Sequence, residues 1–159
     1  MVRSRDYTYF VSTSTGFTPD EVQGIVDAFD LWRTADAGAG TGTTFTQSMV
    51  TPATIMIYKE ALPRRAKLTT AGTSVTPEAG PLSTGTIVYN SDRIVNPPNP
   101  GELYVRKIFL HEIGHLHALE DTPNVPALTT VMIDGVPIAS IPADVTSCDA
   151  NRAFKKSVQ

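Results

Sequence analysis

All three histidines of the 159-residue chain fall within seven residues, His111-Glu112-Ile113-Gly114-His115-Leu116-His117. Positions four apart on an α-helix differ by only about 40° in direction, so the imidazoles of His111 and His115 project from one face and can reach the same zinc ion. Glu112 stands beside them. A carboxylate there can take a proton from a water whose pKa a metal has lowered and return it to a leaving amine, which is general-base work in a metallohydrolase. His117 is rotated about 200° from His115 and reads as a solvent-facing or supporting group, not a ligand. The bland alternative is a surface helix that happens to carry these residue types. That all three histidines of the chain cluster here, two of them at ligand spacing, favours the metal.

Two histidines do not hold a catalytic zinc alone; a third protein ligand is needed, with a fourth position left open. Asp121 lies six residues past His115. A continuous helix would rotate about 240° over six residues and carry Asp121 to its far side, so the chain must leave the helix near Ala118 if Asp121 is to serve. Glu120 is the nearest competing carboxylate, and Asp144 and Asp149 are more distant ones.

The segment His111 to Asp121, HEIGHLHALED, resembles the metzincin signature HExxHxxGxxH/D, with Ala118 at the glycine position and Asp121 in the place of the last ligand. An aspartate there is similar to the snapalysin-type branch. Ala28-Phe29 and Trp32, the run ATIMIY at 53–58 and the stretch Leu103 to Leu119 are similar in order and character to a matrixin-like catalytic domain. The resemblance implies a zinc-dependent endopeptidase with one catalytic Zn2+ on His111, His115 and Asp121, and with Glu112 as its base. It also implies that Met132, in Thr130-Val131-Met132, forms the methionine turn beneath the metal; without the family, a Met in an apolar triplet reads as plain core packing. Substrate would be a protein or peptide lying extended along an edge strand, for which Thr86 to Asn90 is the best match, and Ile133 to Ile141 would line the S1' pocket. Structural calcium is not fixed by the sequence.

Three features depart from that family. Ala118 replaces a glycine where a left-handed backbone costs a residue with a side chain about 1 to 2 kcal/mol. Asp134 stands two residues after Met132, where some metzincins carry a tyrosine, and no cysteine precedes residue 100 to act as an inhibitory switch. Two other readings compete. An endoribonuclease of the rRNA-maturation type has a related three-histidine signature, but it lacks the glutamate and ends on histidine, so Glu112 and Asp121 argue against it. A non-catalytic module stabilised by zinc would normally close the fourth position with another ligand.

The rest of the chain must position these residues. Thr18-Pro19-Asp20-Glu21 is a helix start, with Thr18 as cap and Glu21 closing a capping box. Val22, Ile25, Val26, Phe29 and Trp32 then recur at helical steps, predicting a helix to about Ala35 followed by a loop over 36–44. Strands are expected at 7–12, 53–58 and 86–90, with a short one near Lys67 to Thr70, a second long helix from Glu102 to about Leu116, and a last helix from Pro142 to about Lys155. The fold class is α+β and zincin-like: a small, mostly parallel twisted sheet on two long helices, then a loop-rich C-terminal part. One domain over 1–159 is expected, with an N-terminal part to about 117 and a C-terminal part from 118.

Composition narrows the partners. A net charge of −3 offers no excess of cations for phosphates, so nucleic acid is a poor partner, and no apolar run is long enough for a membrane span. Met1 to Phe10 is no signal core. Cys148, the single cysteine, excludes an intramolecular disulfide and reads as a small buried hydrophobe, while Arg64-Arg65 reads as solvent-facing. Twenty-one Thr and ten Ser against five Lys make a weakly charged polar surface of the kind found outside cells, and a monomer is expected.

Overall fold

The computed structural model describes residues 5–62, 70–76, 84–92, 96–97, 99–123 and 129–158. Strand β1 (Arg5–Val11) leads through helix α1 (Pro19–Ala39) to β2 (Thr43–Gln47), which pairs with β1 in parallel; this is a strand-helix-strand crossover. Strands β3 (Ile55–Glu60), β4 (Ala71–Thr76) and β5 (Thr84–Asn90) complete a sheet in the order β2-β1-β3-β5-β4. All pairings are parallel except β4 with β5, which is antiparallel and places β4 at the edge. Helices α2 (Glu102–Leu116) and α3 (Ser147–Ser157) follow.

The start of α1 forms as its sequence dictates. Thr18 accepts from the Glu21 amide while Glu21 accepts from the Thr18 amide, and the buried Glu21 carboxylate also receives Lys59 of β3 at 2.8 Å. Ile25, Phe29 and Trp32 are wholly buried, and Phe29 stacks on Tyr9 of β1 with ring centres 3.8 Å apart. On its other side α1 meets α2 closely at Gly24, where a Cβ would lie 2.5 Å from the Glu102 carbonyl oxygen. The two long helices can therefore share one core with the sheet.

Four expectations need correction. Helix α1 runs one turn beyond Ala35, to a left-handed Gly40, because Asp36 finds buried partners and does not end the helix. The segment read as a loop over 36–44 thus contains the end of α1 and the start of β2, whose Thr43 and Phe45 turn inward with the period of a strand. Strand β5, which contains Thr86 to Asn90, is not an edge: it lies between β3 and β4, so among the described residues the outermost strand on that side is β4. Helix α3 begins at Ser147 and not at Pro142, since its capping box is Thr146 with Asp149. The expected strand at Lys67 to Thr70 lies, in its first three residues, outside the described residues, as do Arg64 and Arg65. Cys148 is half-buried with a free thiol. No helix among the described residues is long and apolar enough to cross a membrane.

Candidate metal centre

Helix α2 buries Val105, Ile108, Phe109, Leu110, Glu112, Ile113 and Leu116 and leaves His111 and His115 half-exposed on its outer side. Trp32 of α1 donates its indole N–H to the Leu110 carbonyl at 2.9 Å, which fixes the turn that carries both histidines. The helix then ends in a left-handed cap. Ala118 has φ +57°, the Leu119 amide donates back to the Gly114 carbonyl at 3.1 Å and the Ala118 amide to that of His115 at 2.9 Å. This reversal is the turn that Asp121 requires, and it is made at an alanine.

Beyond the cap the chain returns to the histidines. Asp121 Oδ1 lies 3.1 Å from His111 Nε2 and 3.4 Å from His115 Nε2, while the two Nε2 atoms are 3.2 Å apart. His111 Nδ1 faces the Val131 carbonyl and His115 Nδ1 the Leu119 carbonyl, each at 2.9 Å. A carbonyl can only accept, so each Nδ1 is a donor, and in the neutral imidazole each Nε2 then turns a lone pair toward the other and toward Asp121. Three acceptors converging without a donor is the arrangement a cation completes. A tetrahedral zinc with ligands at about 2.0 to 2.1 Å would hold its donors about 3.3 to 3.5 Å apart, close to the observed triangle. No other group of three or more such side chains among the described residues could hold a metal.

Glu112 lies on the inner side, buried, with Oε2 accepting from the Thr73 hydroxyl of β4 at 2.5 Å. Burial pushes its carboxyl above the usual carboxylate range; the Thr73 hydrogen bond and the nearby His111 and His115 pull it down, and Asp121 adds to the rise.

Met132 is wholly buried beneath this helix, and a Cβ added to Gly114 would fall on its sulfur, so a side chain at the second variable position of HEIGH would displace the end of Met132. Its segment is held beside the Asp121 loop: the Thr122 amide donates to the Met132 carbonyl at 2.7 Å, the Asp134 amide donates to the Thr122 carbonyl at 3.0 Å, and Thr122 bridges Ile133 in parallel. Asp134 is exposed and its carboxylate accepts from the Gly135 amide.

The competing carboxylates have other work. Asp149 is buried at the start of α3, where it accepts from the Val131 amide at 3.1 Å and from the Thr130 hydroxyl, tying the methionine segment to the helix. Arg152, one turn on, donates to Thr122 Oγ1 at 2.9 Å and to the Glu120 carbonyl at 3.1 Å, gripping the loop on both sides of Asp121. Glu120 is exposed, and Asp144 accepts from the amide beside it. His117 does point away from the ligands, but into the core: its ring centre is 4.6 Å from that of Trp32 and its Nε2 is 3.3 Å from Asp36 Oδ2. Thr73, Asp36 and Arg152 were not legible as site residues, because nothing in the chain near them points to the metal.

The architecture is similar to the crystal structure of archaemetzincin from Methanopyrus kandleri, with a TM-score of 0.58 over 98% of this chain and 97% of that one, at 10% sequence identity. No protein-family model and no curated protein matches the chain. At that identity the likeness is one of fold: a metzincin-like α+β architecture, here presenting a His-His-Asp metal-binding cluster.

Proposed function

We propose, from the metzincin-like fold and the metal centre it carries, that the protein is a zinc-dependent endopeptidase acting as a monomer, with residues 1–159 as one catalytic domain. The observation that carries this reading is the triangle of His111 Nε2, His115 Nε2 and Asp121 Oδ1 with the Glu112 carboxylate alongside it. Zinc bound there supplies Lewis acidity, drawing electron density from a scissile carbonyl and making a neighbouring water easier to deprotonate. Glu112 takes the proton of the attacking water and hands it to the departing amine. Its buried carboxyl, held above the usual range, suits a group that must both accept and release a proton.

The outer side of β4, the outermost strand among the described residues and the one that carries Thr73, is where an extended substrate would add as a further strand. Ile133, Val136 and Ile138, partly buried against the core beyond Met132, support the expectation that 133–141 lines the pocket for the residue after the cleaved bond. With Asp134 where some metzincins carry a tyrosine, polarisation of the substrate would rest on zinc and Glu112. The weakly charged Thr- and Ser-rich surface supports a secreted protein.

Metal analysis with hydrolysis of an unfolded protein such as casein tests this reading. About one zinc per chain and cleavage abolished by a chelator and restored by zinc are expected. Zinc-loaded protein that leaves casein intact, at any pH from 5 to 9 (roughly the range in which such a base works), would contradict it.

A further inference from the structure

Thr73 of the edge strand engages Glu112 with its side chain, and the sheet fixes where it points. Its Cα pairs with Ile87 of β5, and it shares a face with the buried Ala71 and the partly buried Val75, the face that packs on α2. The hydroxyl has a single hydrogen and two acceptors in reach, Glu112 Oε2 at 2.5 Å and the Glu112 carbonyl at 3.2 Å. The shorter contact to a charged oxygen takes it. A β-branched side chain in a strand has little torsional freedom, whereas a glutamate has three rotatable bonds, so the rigid partner sets the flexible one.

We propose that Thr73 is a positioning residue for Glu112: its hydroxyl holds one carboxylate oxygen so that the other is presented to the attacking water. The proposal rests on the peptidase reading above. In the reaction the proton passes from water to the free carboxylate oxygen and then to the amine nitrogen, and the Thr73 hydrogen bond is kept throughout. The strand that would receive substrate along its outer side thus also orients the base. Substrate seating and base alignment share one element.

The test compares zinc-loaded parent, Thr73→Val and Thr73→Ser on casein or a quenched peptide, with zinc content measured for each. Valine keeps the β-branched shape without the hydroxyl, and a fall in kcat of about tenfold or more is expected, with KM within about twofold and one zinc retained. Serine should keep kcat within about threefold of the parent. Should the valine protein fail to fold, Thr73→Ala compared with Thr73→Ser reads the same difference. A second readout needs no activity: in the metal-free protein Thr73→Val should lower the thermal midpoint by about 3 °C or more, and by much less when Glu112 has been replaced by Met. An active parent equalled by Thr73→Val, a serine variant as impaired as valine, a change confined to KM, or a cycle without coupling each overturns the inference alone. A zinc-loaded parent without peptidase activity overturns the reading beneath it and the catalytic role assigned to Thr73.

Discussion

Glu112 shows the conflict that a buried carboxyl imposes on a fold. Burial under β4 raises its pKa, and the favourable partners, Thr73 and the two histidines, offset this only in part. A carboxyl whose folded pKa is raised binds protons more readily in the native state than in the unfolded chain. Its contribution to stability is therefore fully present below the unfolded carboxylate pKa and is lost as pH rises through the raised value. Glu112→Gln keeps an acceptor for Thr73 and removes the charge. In metal-free protein, the thermal midpoints of parent and variant should nearly coincide at acid pH, with the variant gaining as pH rises to neutral, while zinc-loaded Glu112→Gln loses at least about 10² in kcat. A variant less stable than the parent at neutral pH would show that the carboxylate is well solvated. His111, Glu112 and His115 were legible in the sequence because ligand spacing is local. Thr73, Asp149 and Arg152 were not, because each reaches the site across the fold, and Asp149 and Arg152 act through backbone groups and hydroxyls that carry no motif of their own.

At the scale of elements, the decisive event is the end of α2. Leu119 and Ala118 donate their amides back into the last turn, and this is possible only with Ala118 at φ +57°. The need for a turn near Ala118 followed from the rotation of a helix alone, and the structure makes it at that residue. Ala118→Gly should remove the left-handed strain and raise stability by up to about 1 kcal/mol, less whatever the freer glycine adds to the unfolded chain. The corresponding midpoint shift is about 2 to 4 °C upward at this chain length, and a lower midpoint in calorimetry would place the strain elsewhere. Capping boxes made the start of α1 legible. The sequence places its end a turn too early because 36–44, rich in Gly, Ala and Thr, reads as a loop, whereas Asp36 is held by Thr41 at 2.8 Å and faces His117 in the core. Such tertiary partners override local propensity.

Across the whole molecule, the metal centre is assembled from three layers that local patterns cannot order. Helix α2 gives the histidines and Glu112, the edge strand gives Thr73, and the C-terminal segment, clamped by α3, gives Asp121, Val131 and Met132. Which strand forms the edge was the global feature misread. Thr84–Asn90 alternates well enough to be a strand, but its neighbours are set by pairing with β3 on one side and β4 on the other, and β4, with Gly72, Thr73, Ser74 and Thr76, carries little hydrophobic signal. The sheet has four parallel strands and one antiparallel edge, and α2, which bears His111 and His115, carries Glu112 against that edge strand.

The account therefore stands or falls on where zinc binds. Anomalous diffraction at the zinc edge from crystals of the zinc-loaded protein measures it directly. One peak is predicted within about 2.0 to 2.2 Å of His111 Nε2, His115 Nε2 and Asp121 Oδ1, with a fourth position free of protein ligands. A peak that leaves Asp121 uncoordinated, a fourth protein side chain closing the site, or no peak at saturating zinc would contradict it.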